Sequence, residues 1–447
     1  IGSGQTNQGS NAVAIGMGTG QIDQSSKSIA IGSNAGKTNQ GSNAIAIGDF
    51  AGGTGQSSDT IAIGTQSGRY NQSLRSVAIG LSAGKFTQGQ SSVVIGNTAA
   101  QYSQGNNSVA IGFEAGRNTQ GASSIAIGDD SAEYSQGTNS IAIGRYAARY
   151  VQGVDSIAIG RQAGQTVQGP DSIAIGTLAG ASTQGTTSIA IGSEAGRTQQ
   201  GQQSIAIGDR AGQSTQGVCA IAIGYQAGET SQGQNAIAIG DRAGENYQGV
   251  RGIAIGLRSA TNTQGSNAIA IGYIAGPNQG SSCVAIGNRA GVTQNNFAIA
   301  IGSQSAIGTQ GSNAITIGLQ SGGNQGADSV AIGLRAGQNT QGSNSIAIGE
   351  FAGQEVQGNQ SIAIGTNAGR NTQDTNSIAI GTSAALNDQG NDCVAIGCQA
   401  GEGTQGNFSI AIGTLAAYDN QQTYAIAIGR EAVRISQSTY SIAIGYR

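Results

Sequence analysis

The sequence contains no His and no Trp, only two Pro, and four Cys among its 447 residues. Without His, the chain lacks the commonest general base and metal ligand, and a Ser-His-Asp triad is impossible. Two Pro and no Gly-X-Y period exclude collagen. Charged residues make up 10%, and the net charge of −3 lacks the basic excess that binds phosphates. These absences predict a non-enzymatic protein without a cofactor, a bound metal or a nucleic-acid partner.

Cysteine and long apolar runs are also scarce. Cys219, Cys283, Cys393 and Cys398 show no CxxC spacing, and four in a chain of this length do not make a disulfide framework. No stretch reaches 18 consecutive apolar residues, so no membrane span is expected in this segment.

Glycine, by contrast, is abundant, with 77 residues, and much of it is periodic. An Ile-Gly pair ends at Gly2, at Gly16, and then at regular steps to Gly445, which makes 28 intervals. Most of these intervals have a 16-residue length, and only the first and three later ones are shorter. No linker or change of composition interrupts the period. We therefore expect residues 1–447 to form one continuous repeat array without an internal domain boundary.

Each repeat places a short apolar segment, Ser-Ile-Ala-Ile, directly before this glycine, as in 124–127. Residues at i and i+2 lie on the same face of a strand, so both Ile side chains share one face and the Ala takes the other. We assign the Ile columns to the core, represented by Ile125, Ile127, Ile141, Ile143, Ile157 and Ile159. The Ala column would then face outward as a flat self-association surface, unless it is merely a tolerated exposed row: Ala110, Ala126, Ala142, Ala158 and Ala174.

A Gln occurs in every interval, usually followed by Gly, which predicts a turn with positive φ after the Gln. Identical residues in a repeat array lie above one another, and stacked amides can donate to one neighbour and accept from the other. We predict a structural Gln ladder; a row facing a ligand is the alternative. Its central members are Gln88, Gln104, Gln120, Gln136, Gln152, Gln168 and Gln184.

One 16-residue unit cannot bury its own apolar pair well enough to be stable alone, so the turns must stack. The predicted fold class is all-β: a parallel β-solenoid or β-roll of about 28 two-strand coils, each with a 16-residue length, without helices.

Aromatic residues recur at one repeat position and are interrupted once, by Asn118. Stacked rings along an edge could bind a sugar or a partner chain, or they could simply stack on each other. The members of this possible aromatic binding ladder are Tyr70, Phe86, Tyr102, Tyr134 and Tyr150.

The unit Ser-Ile-Ala-Ile-Gly-x-x-Ala-Gly resembles the head repeats of YadA-like trimeric autotransporter adhesins, and residues 107–112, Asn-Ser-Val-Ala-Ile-Gly, are close to a direct match. The period here is mostly 16, whereas that of the family is near 14. The resemblance implies a parallel β-roll, three chains around one axis, exposure at the cell surface, and attachment to host or matrix.

We therefore expect a structural or adhesive fibre protein that is extracellular, on a cell surface or on a virion. It would self-associate as a homotrimer, or as a head-to-tail filament because the sequence starts and stops within a repeat. A host-surface or matrix glycan or protein is the possible external partner. The alternatives are a glycan-binding phage or giant-virus fibre and an ice-binding solenoid, for which an incomplete Thr column precedes the Gln.

Overall fold

A computed structural model describes residues 2–446, and these residues form an all-β parallel solenoid with no helix. The chain divides into two compact units, Ile1–Thr230 and Ser231–Arg447. Each unit is built of stacked turns, with ~16 residues per turn. The expectation of a single array over 1–447 stays a prediction, and its end residues Ile1 and Arg447 lie outside the described part.

Every turn contributes a first strand of three residues, which ends directly before the periodic glycine. In the first unit these strands run from Val13–Ile15 to Ile221–Ile223, and in the second from Ile237–Ile239 to Ile442–Ile444. They pair in parallel with the equivalent residues of the adjacent turn, as Ile159 pairs with Ile175. Register is kept through the shorter turns as well, where Ile269 pairs with Val284. The predicted stacking of each repeat on the next is therefore confirmed within the units.

A second strand ends on the recurrent Gln of each turn. The first four have three residues, from Ile22–Gln24 to Tyr70–Gln72; those from Ser103–Gln104 to Ser436–Gln437 have two. At Gln88 the strand shrinks to isolated bridges with the neighbouring turns. Each turn thus contributes one strand to each of two parallel sheets, and the two sheets enclose a narrow interior.

Glycine is required where the first strand ends. The periodic glycines from Gly16 to Gly445 have φ of 120–140°, a region that L-residues rarely adopt. The Gly after the Gln was predicted to supply a positive φ, and this is wrong. Glycine is required at Gly137 because the backbones of adjacent turns approach each other closely there. A Cβ would lie 2.6 Å from the backbone of the next turn, at Gly153 and Val154. The left-handed residue lies two positions later, at Asn139 with φ 55°.

The assignment of the Ile columns to the core is wrong. Ala126 and the other central residues of the first strands are buried, except in the strands Val13–Ile15 and Ile442–Ile444, whereas the flanking Ile side chains are half-exposed. The six residues predicted as core therefore line the outer surface of the first sheet: Ile125, Ile127, Ile141, Ile143, Ile157 and Ile159. Strand alternation correctly grouped the Ile residues, but alternation alone cannot say which group points inward.

The predicted Ala self-association face is wrong for the same reason. All five of its residues have no exposed surface and lie inside the turn: Ala110, Ala126, Ala142, Ala158 and Ala174. The interior has room only for small groups beside the Gln side chain. A Cβ added to Gly164 would lie 3.4 Å from the Ala158 Cβ and 2.8 Å from the Gln168 Oε1. The largest side chains in this inward column are those of Val94 and Thr316, and both are fully buried.

The Gln side chains fill the remaining interior and are almost fully buried. In the first unit, the amide nitrogen mainly donates within its own turn, as from Gln152 Nε2 to the Ile141 carbonyl at 2.8 Å. Gln136, Gln168 and Gln184 do the same, and Gln88 donates to the Val77 carbonyl. Among the seven central members predicted, the amide-to-amide bond links only Gln104 to Gln120, at 3.3 Å.

In the second unit, the amides form an unbroken ladder. Each Nε2 donates to the Oε1 of the following Gln, from Gln232 through to Gln437, at 2.8–3.2 Å. Most of these amides also donate to the carbonyl of their own first strand, as Gln373 does to Ile362 at 2.8 Å. The polar interior is thereby hydrogen-bonded both within and between turns.

Candidate functional surfaces

The outer surface of the first sheet is an apolar face that the sequence had assigned to the interior. We call it the Ile face, and define it as the outward Ile and Val side chains of the first strands, such as Ile157 and Ile159. Ile159, Ile239 and Ile317 are 36–38% exposed, and equivalent side chains repeat in every turn. No charged residue interrupts these columns. Parallel sheets normally have both faces covered, whereas the Ile face is uncovered in the single chain.

The outward residues of the second sheet are mostly polar. Thr119, Ser135 and Thr183 are exposed, while the Gln after each is buried. This surface lies on the opposite side of the turn from the Ile face, because the inward side chains of the two sheets meet between them. The second sheet therefore stays available when the Ile face is covered.

The predicted aromatic ladder lies at the edge of the second sheet, where its strands begin: Tyr70 is the first residue of its strand, and Tyr102 and Tyr134 directly precede theirs. Tyr70 stacks on Phe86 with ring centroids 5.7 Å apart, and Phe86 stacks on Tyr102 at 5.4 Å. Tyr134 stacks on Tyr150 at 5.3 Å. All three pairs are within 14° of parallel. The rings form two stacks separated at Asn118, and a binding role for them stays a prediction.

Basic side chains accompany these stacks. The Arg69 guanidinium lies 4.9 Å from the Tyr70 ring centroid, and the Lys85 ammonium lies 5.2 Å from that of Phe86. Such cation–π contacts hold the aromatic rings and the cations of this edge in place.

Sequence reasoning missed a second aromatic stack near the C-terminal end of the described chain. Phe408, Tyr424 and Tyr440 stack at 5.0 Å, each with φ of 57–62°. Their 16-residue spacing would have revealed the stack. Equivalent turns carry residues such as Asn376 and Asp392, which tolerate the left-handed conformation better.

A carboxylate cluster lies beside the gap in the aromatic ladder. Oxygen atoms of Glu114, Asp130 and Glu133 lie within 4.8 Å of one another. Arg117 Nη1 is 2.9 Å from Glu114 Oε2, and Arg149 Nε is 2.7 Å from Glu133 Oε2. Two guanidinium groups therefore already serve as counter-ions, and the arrangement is a partly buried ion-pair network.

Burial, and then the nearby Glu133 carboxylate, raise the pKa of the Asp130 carboxyl, although Arg149 opposes the shift. The folded state thus holds this proton more tightly than the unfolded state. Stability falls as the pH rises from the ordinary range of an Asp carboxyl through the raised value. At neutral pH the ionised Asp130 lowers the stability of the fold.

We expect Asp130→Asn to raise the melting temperature at pH 7 by about 2 °C, with the gain shrinking as the pH is lowered through the ordinary Asp range. Thermal unfolding followed by circular dichroism between pH 3 and 7 measures this. Asp171→Asn is the matched control, since Asp171 is exposed and has the same φ of 54° as Asp130. An equal gain in both variants would assign the effect to the preference of Asn for this turn.

The four cysteines are free thiols in this structure. Cys283 and Cys393 are buried just before first strands, and burial raises the pKa of both thiols. They occupy positions that Ser or Ala fills in other turns, so they act as small packing residues.

Comparison with known proteins supports the resemblance. The YadA head domain repeat matches the chain in two copies, at residues 168–195 and 355–369, one in each unit. No curated protein shows a match to the chain. Within residues 2–446, no helix has the length and hydropathy of a membrane span. The matched repeat is a structural element of adhesin-like fibres, and its solenoid fold is generally non-enzymatic. With the repeat match and the parallel solenoid in agreement, the chain carries YadA-like head repeats.

Proposed function

We propose that the chain is the head segment of a cell-surface adhesin fibre in which three copies pack together through their Ile faces. The Ile face of this proposal replaces the Ala face that the sequence suggested. The single observation that carries it is the uncharged column of half-exposed Ile and Val pairs, one pair for every turn.

The size of the Ile face supports a stable association. Each outward pair leaves on the order of 100 Å² of apolar surface exposed. This area is estimated from the free energy of burying an Ile side chain and the free energy per unit of apolar area. About a dozen turns, fewer than half of those in the chain, then offer on the order of 1,000 Å² of apolar surface, which is enough for a specific interface. Soluble monomers seldom expose an apolar strip of this size.

A second copy of the same chain is the occupant that fits the face best. The face repeats with the period of the chain, so an identical chain in the same register presents matching pairs at every turn. Closed association around one axis covers the face of every copy. The choice of three copies follows the trimeric adhesins that carry this repeat type.

The polar second sheets would then face outward and present the surface to host or matrix. Their Thr, Ser and Tyr side chains offer hydrogen-bond donors and acceptors without charge, along an array that repeats from turn to turn. Such an array favours many weak contacts with a repetitive target, and their number raises the avidity.

Light scattering coupled to size-exclusion chromatography tests the association. The chain is expected at three times its mass of 44.1 kDa. The double variant Ile159→Asp/Ile191→Asp is expected to be a monomer with an unchanged β-sheet spectrum, because a buried unpaired carboxylate is strongly unfavourable at an interface.

Thr183→Asp is the matched control. It places the same charge on the second sheet, where Asp388 occupies the equivalent position in its own turn. The control is expected to keep the mass of the trimer. A monomeric wild-type chain at micromolar concentration would overturn the proposal. Elution as long filaments would overturn the trimer and show open-ended assembly instead.

A further inference from the structure

We propose that the gap in the aromatic ladder at Asn118 is a binding slot for one pyranose ring of a neutral polysaccharide. The gap is flanked by the exposed rings of Tyr102 and Tyr134, which are 45% and 43% exposed. The proposal goes beyond the fibre role, and it concerns a surface opposite to the Ile face.

Register places Asn118 between the two rings. Ser103 pairs with Thr119, and Thr119 pairs with Ser135, so the residues before them lie in one column. The backbone confirms this alignment, since Ser103 N donates to the Asn118 carbonyl and Thr119 N donates to the Tyr134 carbonyl, both at 3.1 Å. Asn118 thus stands where a ring would continue the stack.

The width of the gap suits a single six-membered ring. Neighbouring rings in the ladder are 5.3–5.7 Å apart. Tyr102 and Tyr134 are two turns apart, which is about 10 Å at the usual strand spacing. A ring inserted midway would lie about 5 Å from each neighbour, within the 4.5–7 Å range of favourable ring contacts.

The chemistry around the gap favours a sugar over an apolar ring. A pyranose presents C–H groups on its faces and hydroxyl groups around its edge. The faces would pack on Tyr102 and Tyr134, while the edge meets polar groups. The Asn118 carboxamide is half-exposed and makes no hydrogen bond within the described residues, so both its donor and its acceptor are available to hydroxyls.

Charge around the gap favours a neutral sugar. Arg117 precedes Asn118 in the chain, and Glu133 precedes Tyr134. The Arg117 guanidinium is engaged by Glu114 at 2.9 Å and lies 3.7 Å from Glu133. Because these charges already pair with one another, an acidic sugar would have to compete with carboxylates for the guanidinium.

The test uses soluble cellohexaose, mannohexaose and chitohexaose as probes, titrated by calorimetry against the complete chain. At least one is expected to bind. Asn118→Tyr should abolish this binding, because the new ring completes the stack and fills the slot without disturbing the fold. Tyr102→Ala should weaken the binding at least tenfold, since it removes one wall.

Tyr424→Ala is the matched control, because Tyr424 is an exposed ring of the second aromatic stack and does not border the gap. It is expected to change affinity less than twofold. Failure of all three sugars to bind, or undiminished binding by Asn118→Tyr, would overturn the slot.

Light scattering on the same variants separates the slot from the fibre proposal. Asn118→Tyr is expected to keep the mass of the wild-type oligomer. A drop in mass would instead show that the gap receives a side chain from another copy, and this too would overturn the sugar site. Loss of sugar binding with no change in the oligomer mass would show that the slot and the association through the Ile face are independent.

Discussion

Replacing Gly160 by Ala is expected to lower the free energy of unfolding of its part of the solenoid by about 3 kcal/mol or more. Gly160 has φ of 128°, a conformation in which an L-residue is strained. A Cβ built there would lie 2.6 Å from the Gly176 carbonyl oxygen and 2.8 Å from its carbon. Both atoms belong to the backbone of the next turn, so the clash cannot be relieved by a side-chain rotation.

Gly164→Ala, in the same turn, is the matched control. Its φ is 55°, and equivalent turns already carry Ala132 and Ala148 with φ of 49° and 46°. The added methyl group meets the Gln168 Oε1, the end of a flexible side chain, at 2.8 Å. We expect a loss of about 1 kcal/mol or less here.

Hydrogen exchange over residues 141–176, together with guanidinium unfolding, distinguishes the two variants. Local exchange is the sharper measurement, because repeat proteins gain stability from nearest-neighbour contacts and open locally. Fast exchange confined to turns around Gly160→Ala is the expected result. Equal protection in both variants would contradict the requirement for glycine at the end of the first strand.

Gln373→Leu is expected to cost about 3 kcal/mol, and Gln152→Leu about half as much. Gln373 Nε2 shares its two N–H groups among the Ile362 and Ser377 carbonyls and Gln389 Oε1, and Gln373 Oε1 accepts from Gln357 Nε2, all at 2.8–3.1 Å. A Leu side chain would remove the donor to Gln389 Oε1 and one of the acceptors of Gln357 Nε2, in an interior that excludes water.

Gln152 donates only to the Ile141 and Ser156 carbonyls, and its Oε1 has no hydrogen-bond partner. The difference between the two variants therefore measures what amide-to-amide bonding adds to the ladder. Denaturant unfolding of each variant against wild type provides this difference. Identical losses would show that the ladder contributes nothing beyond the bonds within each turn.

The sequence was sufficient for the period, the strands and their pairing. A regular 16-residue recurrence of Ile-x-Ile-Gly predicts that equivalent residues stack, and Ile159 indeed pairs with Ile175. The aromatic stacks follow from the same period, since identical spacing puts Tyr134 next to Tyr150. The family resemblance also rested on residues visible in the chain.

The site was less predictable than the fold. A strand usually buries its Ile residues and exposes its Ala residues. Here that expectation wrongly selects the Ala column, rather than the Ile face, as the outer surface of the first sheet. The ion pairs around Glu133 join residues from different turns and depend on side-chain direction as well as on register. The gap at Asn118 was visible as an interruption, but its width depends on the ring spacing.

The sequence alone thus determined which residues share a column, because a constant period and strand alternation leave no freedom in that grouping. Only the tertiary structure decided which columns point inward. Two sheets closed within one short turn leave an interior that a Gln side chain and an Ala methyl group fill between them, and the larger Ile side chains are therefore directed outward. The physical reason is the volume available inside a turn, a quantity that depends on both strands together.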